Sequence, residues 1–234
     1  VDAYFKDDTI HQLAYDIIHR IDFDMLVHTH EGKPRLYMAY NPDKDGDYVH
    51  GRPGFIHHWG MFAEQLMMYV MIAGLKEDKN ESIALYKGFD RLHRSYQGHQ
   101  YIITPGNTLF VYQFPLAWLD LEHVEDSDGI NWFNKAKKAT YGHRAFCLRH
   151  QRTFKTFNRY SFGLTAGYTP TGYYVSNALP NTLGKYYSNG TISPSAMVGS
   201  LPFAKEIVLP AIKKMAEDPK LWGPYGLVGA YNYE

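Results

Sequence analysis

The chain has 234 residues, which is enough for one large domain or two small ones with a sizeable hydrophobic core. Its 24 Lys and Arg residues balance 24 Asp and Glu residues, and this formal net charge of +0 argues against nucleic acid as a partner. Hydrophobic residues make up 45% of the chain and charged residues 21%, a composition that excludes intrinsic disorder. Aromatic residues are frequent, at 16%, and such rings pack cores or stack on ligands.

The sequence predicts no membrane span and no cofactor. The longest apolar run, residues 62–75, is interrupted by Glu64 and Gln65 and is too short to cross a bilayer. A single cysteine, Cys147, excludes an internal disulfide and a cysteine-based zinc site. Residues 41–46 begin like a calcium-binding loop, but Arg52 stands where the closing Glu belongs. His28 with His30, and His57 with His58, could ligate a transition metal only if further ligands converged on them. Because the chain has 12 histidines, such pairs are expected by chance, and no metal site is predicted.

The first predicted helix covers residues 10–21, because apolar side chains recur there at steps of three and four behind Asp7, Asp8 and Thr9 as caps. Turn-forming residues predict a loop over 41–54. Residues 59–73 are apolar on nearly every side, which predicts a helix enclosed by protein, and Gly74 is placed to end it.

Three further helices are predicted in the rest of the chain. One covers residues 81–96 behind Asn80 as cap, and one covers 132–149 with a shared apolar face. Residues 160–190 lack helical periodicity and predict a long ordered loop. Pro202 can begin a last helix over 203–217. Helices joined by long loops, with few strand-like alternations, predict an all-α domain.

Glu64 is the best single candidate for catalysis. On a helix its carboxyl group would lie among Gly60, Met61, Met67 and Met68. Burial without a partner would raise the pKa of that carboxyl group, which suits a general acid. The alternative is a carboxylate that stabilises the start of a helix through the helix dipole.

Several segments resemble, in order along the chain, the glycoamylase-like family of bacterial proteins. The segments are GFIHHWGMFAEQLMMYVMIAG, LFVYQFPLAWLDLE, GINWFNKAKKATYGHRAFC, FGLTAGYTPTGY, NGTISPSAMVGSLPFAKEIVLPAI and LWGPYGLVGAYN. The similarity runs from Tyr4 to Asn232. The family includes endo-β-1,2-glucanases and domains attached to cyclic β-1,2-glucan synthases.

The resemblance implies an (α/α)6 toroid with a glycan cleft and long loops at its mouth. Family members are longer than this chain, so we expect residues 1–234 to form one domain that is a central fragment of an incomplete toroid, which another chain or segment completes. The implied partner is an oligo- or polysaccharide. The sequence itself shows no leader after Val1, and the resemblance alone implies an extracytoplasmic location.

The resemblance also implies a set of site residues. Glu64 falls on an acidic position of the family, and Asp120 is the first-ranked second carboxylate, since glycoside hydrolysis requires two. Asp120 could equally cap a helix or hold Arg144. Other acidic candidates follow Asp120 closely: Glu122, Asp126 and Asp128. The candidates for sugar binding are Trp59, Gln113, Trp118, Arg144, Tyr168 and Tyr173.

Departures from the family pattern leave three hypotheses open. Gly167 and Tyr168 stand where relatives end a tight loop with an Asp, and Asn189 replaces another Asp. The first hypothesis is a glycoside hydrolase that acts on a glucan, with β-1,2-glucan as one candidate. The second is a catalytically silent glycan-binding module. The third is a structural or assembly protein with a vestigial cleft.

Overall fold

A computed structural model describes residues 4–43, 53–169, 171–180 and 184–234. The chain folds as two compact units. The first consists of Val1–Gly60 and Met68–Asp90, and the second of Met61–Met67 and Arg91–Glu234. Of the calcium-like loop considered above, Asp45, Gly46 and Arg52 lie outside the described residues.

The first unit begins with α1 (Asp8–His19), followed by a small antiparallel sheet. Asp7 caps α1, because its Oδ1 accepts hydrogen bonds from the backbone N–H groups of Thr9 and Ile10. The sheet has the order β1 (Val27–His30), β2 (Lys33–Tyr40) and β3 (Phe55–His58). Glu31 and Gly32 join β1 to β2 with φ angles of 49° and 76°, the conformation that a two-residue hairpin turn requires.

Two helices complete the first unit: α2 (Leu66–Leu75), of which residues 68–75 belong here, and α3 (Lys79–Lys87). Behind α3, the buried Arg35 on β2 is held on several sides. Its Nη2 lies 3.2 Å from Asp90 Oδ2, and its Nε donates to the carbonyl of Gly88 at 3.1 Å. This paired guanidinium ties the sheet to the end of α3, because a buried charge needs such partners.

The second unit alternates short hairpins and helices. Its elements are β4 (His93–Tyr96), β5 (His99–Ile102), α4 (Leu109–Gln113), α5 (Trp132–His150), β6 (Ala166–Thr169), β7 (Gly172–Val175), α6 (Pro194–Val198), α7 (Lys205–Ala216), β8 (Trp222–Gly223) and β9 (Gly226–Leu227). The pairs β4–β5, β6–β7 and β8–β9 are antiparallel. Gln97 and Gly98 make another two-residue turn with positive φ angles, which joins β4 to β5.

The helix α5 is the central element of the second unit's core. Its predicted inward face is confirmed, since Trp132, Ala136, Thr140, His143 and Cys147 are all buried. His143 Nε2 donates a hydrogen bond to the carbonyl of Asn107 at 3.1 Å. Burial lowers the pKa of His143 to about 3, so the ring is neutral at physiological pH and acts in the core as a hydrogen-bond donor.

The prediction of an all-α fold, and with it an (α/α)6 toroid, is wrong. The structure is about 36% helical, with 19% strand in several small antiparallel sheets. The predicted helix over 81–96 is instead α3 followed by β4, and the one over 59–73 begins only at Leu66. Within the loop predicted over 160–190, β6 and β7 form a hairpin. Short strands closed by tight turns lack the long periodic runs by which helices are recognised.

No helix among the described residues combines the length and apolar character that crossing a membrane requires.

Candidate active site

Glu64 lies in a turn immediately before α2, on the part of the chain that belongs to the second unit. Phe62, Ala63, Gln65 and Leu66 are all buried, and Glu64 is half-buried between them. The prediction of a helical setting among methionines is therefore wrong. The turn instead buries the residues on both sides of Glu64, and Glu64 itself is partly exposed.

The side chain of Gln65 fixes this turn. Its Oε1 accepts the backbone N–H of Ala63 at 2.8 Å, and its Nε2 donates to the carbonyl of Met61 at 2.9 Å. Gln65 is only 1% exposed, so both bonds are shielded from water. A buried amide that bonds the backbone on both sides in this way restricts the backbone conformation around Glu64.

We expect replacement of Gln65 by Met to lower the free energy of unfolding by about 2 kcal/mol, because the buried N–H of Ala63 and the partly buried carbonyl of Met61 lose this partner while the side-chain length is kept. Urea denaturation of the variant measures the change. The control is Gln100→Met, which makes the same substitution at an exposed position on β5. Equal stability of the two variants would contradict the assigned role of Gln65.

The segments that carry Glu64 and Asp120 both attach to the start of α5. The ring of Phe62 stacks on Trp132, the first residue of α5, with centroids 4.4 Å apart. Asn131, the N-cap of α5, donates from Nδ2 to the carbonyl of Glu122 at 2.9 Å. The fold thus brings two acidic segments that are distant in sequence to one helix end.

The loop after α4 presents Trp118 and Asp120 to solvent. A short 3-10 helix, Pro115–Ala117, precedes Trp118, and the indole ring is 69% exposed. Asp120 is also exposed, and its Oδ1 lies 3.5 Å from the backbone nitrogen of Glu122. Asp126, a few residues later, has a structural role, because its Oδ1 accepts from the backbone N–H groups of Asp128 and Ile130.

Gln113 is bonded within the protein. Its Nε2 donates to the carbonyl of Ala196 at 2.5 Å and to Ser200 Oγ at 2.8 Å, and Thr140 Oγ1 lies 3.0 Å from the same hydroxyl oxygen. These contacts join α4 to α5 and to the segment that begins with α6. The donors of the Gln113 amide are therefore already used, which sequence reasoning did not anticipate.

Arg144 lies far along α5 from the turn that carries Glu64. Twelve residues separate it from Trp132, which corresponds to about 18 Å of helix. Its Nε donates to the carbonyl of Arg159 at 3.1 Å. Burial lowers the pKa of the Arg144 guanidinium, and the positive charge of Arg159 adds to this effect. The structure therefore does not group Arg144 with Glu64 and Asp120.

Two tyrosines stand opposite each other on the β6–β7 hairpin. Tyr168 pairs with Tyr173 in the register of the strands, and their rings meet edge to face with centroids 5.7 Å apart. They are 78% and 65% exposed. Trp59, in the first unit, is half-buried after β3, and its indole Nε1 has no hydrogen-bond partner among the residues that the structure describes.

Among the residues that the structure describes, no three His, Cys, Asp or Glu side chains are grouped as the ligands of a metal ion would be. The segments attached to the start of α5 carry carboxylates and the exposed ring of Trp118.

Comparison with known proteins identifies similar folds. A model of the Glycoamylase family, described as "Putative glucoamylase", matches residues 56–234. A solved putative glucoamylase from Bacteroides uniformis has a TM-score of 0.80 at 22% identity, over 99% of this chain and 56% of that chain. The β-1,2-glucanase from Parabacteroides distasonis has a TM-score of 0.77 at 18% identity, over 98% of this chain and 35% of that one.

A third structure, the endo-β-1,2-glucanase from Chitinophaga pinensis in complex with sophorotriose and glucose, has a TM-score of 0.68 at 22% identity, over 85% of this chain and 48% of that chain. The chain thus spans about half the length of the solved structures that it matches, or less. No curated protein matches it. At these identities, the likeness to solved structures shows a shared fold.

Proposed function

The chain belongs to the Glycoamylase family, and from this premise we propose that it is a glycoside hydrolase that acts on a glucan by carboxylate acid–base catalysis. The observation that carries the proposal is the turn at Glu64. The segment around Glu64 has the buried residues Phe62, Ala63 and Leu66 and is held by two hydrogen bonds of the buried Gln65 amide, while Glu64 itself is half-buried. A positioned carboxyl group of this kind is what a general acid requires.

Asp120 is the proposed second carboxylate. It lies on the loop that Asn131 holds against the start of α5, where the ring of Phe62 holds the turn of Glu64. Glycoside hydrolysis needs one carboxyl group to protonate the leaving oxygen and another to activate water or to attack the sugar carbon. Glu64 is the more buried of the two residues, so we assign it the role of the acid and assign the second role to the exposed Asp120.

Exposed aromatic rings support a saccharide as the ligand. The apolar faces of a sugar ring stack on aromatic side chains, and the proposed contacts are Trp118, Tyr168 and Tyr173. The edge-to-face pair on the β6–β7 hairpin offers ring surfaces in two directions, at an interplanar angle of 78°. Two of the similar structures are β-1,2-glucanases, so we propose β-1,2-glucan as the first substrate to test.

The test is incubation of the protein with β-1,2-, β-1,3- and α-1,4-glucans, followed by chromatography of the released oligosaccharides. We expect release from the β-1,2-linked polymer. Binding of a glucan without release from any of the three would favour the catalytically silent module, to which the loss of the loop Asp at Tyr168 points. A folded protein that neither binds nor cleaves any of the three glucans would overturn the proposal.

A further inference from the structure

A small pocket in the second unit lies between α7 and the last residues of the chain, apart from the candidate active site. Its volume is about 170 Å³, below the roughly 300–1,000 Å³ of pockets that take drug-sized ligands. A space of this size accommodates one ring. Its lining includes the buried apolar side chains Met215 and Leu221, the tyrosines Tyr231 and Tyr233, and the polar groups Ser161 and Asp218.

The polar groups of this pocket are hydrogen-bonded to one another and can still form hydrogen bonds with a ligand. Tyr233 Oη donates to Asp218 Oδ2 at 2.9 Å, and the other oxygen of that carboxylate accepts the backbone N–H of Lys220. Ser161 Oγ and Tyr231 Oη lie 2.6 Å apart, so one of these two hydroxyls donates to the other. Each carboxylate oxygen and each hydroxyl can make at least one further hydrogen bond.

Backbone hydrogen bonds hold the wall of the pocket in place. Tyr231 exchanges two of them with Ile192, each 3.0 Å long. The backbone N–H of Tyr233 donates to Thr156 Oγ1 at 2.8 Å, and that of Leu221 donates to the carbonyl of Asp218 at 3.0 Å. The side chains that line the pocket are therefore positioned before any ligand arrives, which reduces the entropy lost on binding.

We propose that this pocket binds one pyranose unit of a neutral gluco-oligosaccharide, as a second glycan site in addition to the candidate active site and distant from it. A pyranose has an apolar face, which matches the Met215 and Leu221 surface and the tyrosine rings, and an edge of hydroxyl groups, which matches the carboxylate and the Ser161–Tyr231 pair. The chemistry of the lining thus fits both parts of a sugar ring.

The negative charge of Asp218 in the pocket disfavours an acidic ligand. The backbone N–H of Lys220 and the hydroxyl of Tyr233 lower the pKa of Asp218, so its carboxylate is negative at neutral pH and opposes an acidic sugar. Lys214, which also lines the pocket, forms an ion pair with Glu217, whose Oε2 lies 2.6 Å from its Nζ.

The pocket lies next to Arg144, at the far end of α5 from the turn that carries Glu64. Arg144 bonds to the carbonyl of Arg159, which stands between two residues of the pocket lining, Asn158 and Tyr160. Because about 18 Å of helix separates Arg144 from Trp132, one sugar ring cannot occupy both places. The inference therefore holds whether or not Glu64 is catalytic.

The test uses saturation-transfer NMR of glucose with the whole 234-residue protein. We expect a signal from bound glucose, an affinity at least tenfold weaker in Tyr233→Ala, and a smaller loss in Tyr233→Phe, which keeps the ring and removes the hydroxyl. Asp218→Asn, which keeps the shape of the side chain, should weaken binding several-fold. The matched control is Tyr225→Ala, because Tyr225 is fully exposed and does not line the pocket.

Thermal unfolding of each variant separates lost binding from lost folding. If Tyr233→Ala does not fold, the glucose affinities of Tyr233→Phe and Asp218→Asn test the proposal. Three results would overturn the proposal: no glucose signal with the folded protein, a signal that disappears in Trp118→Ala but persists in Tyr233→Ala, or tighter binding of the acidic sugar glucuronate than of glucose. The first of these leaves glucan hydrolysis by the active site unaffected, so the two proposals fail separately.

Discussion

Replacement of Glu64 by Gln will abolish oligosaccharide release, with kcat on the substrate glucan falling by about 10³-fold or more. General acid–base catalysis contributes about 10²- to 10⁴-fold in rate, and an amide cannot donate the proton that the leaving oxygen needs. Gln has nearly the same size and polarity as Glu, so the turn between Phe62 and Leu66 should keep its structure. The measurement is the initial rate of release at saturating glucan, together with glucan affinity by calorimetry.

The affinity for glucan should remain within about threefold of that of the unsubstituted protein, because the proposed binding surface comes from aromatic rings on other segments. The matched control is Glu125→Gln, which makes the same change at an exposed position in the loop before α5 and should leave the rate unchanged. A Glu64→Gln protein that folds and still hydrolyses glucan would contradict the assignment of the acid. An equal loss in both variants would point to an effect of charge rather than of catalysis.

Sequence periodicity succeeded where a helix has one continuous apolar face. The helices α1 and α5 lie within two residues of their predicted bounds, and Asp7 is the cap that was expected. It failed at the hairpins, where Glu31–Gly32 and Gln97–Gly98 turn the chain with positive φ angles. A two-residue turn with Gly in second place between short strands is a readable signal, so the β4–β5 hairpin could have been recognised from sequence.

The candidate site was less predictable than the helices because its geometry depends on long-range contacts. The resemblance singled out Glu64 and Asp120, but no pattern along the chain indicates that Phe62 stacks on Trp132 or that Asn131 holds Glu122. The Gln65 bonds to Ala63 and Met61 also have no sequence signature, since an amide beside a carboxylate usually faces water. Residue types indicate which chemistry is available, whereas the contacts indicate where it is assembled.

Gly163 precedes the segment that leads into the β6–β7 hairpin, and its replacement by Ala should destabilise the second unit strongly. Its φ of 109° is one that residues with a side chain rarely adopt. A Cβ atom at this position would also lie 2.8 Å from the backbone nitrogen of Met197 and 3.1 Å from its Cβ. Met197 is buried on α6, and Ser193 donates to the carbonyl of Gly163 just before that helix, so neither side can easily move away.

We expect Gly163→Ala to lower the free energy of unfolding by about 4 kcal/mol, of which roughly half is backbone strain and the rest overpacking. Gly172→Ala separates the two causes, because Gly172 has nearly the same φ, 112°, with no atom within 4 Å of an added Cβ. That variant should lose only about 2 kcal/mol, from strain alone. Urea denaturation of both proteins measures the difference, and equal losses would show that Gly163 is required for its backbone conformation and not for the close approach of α6.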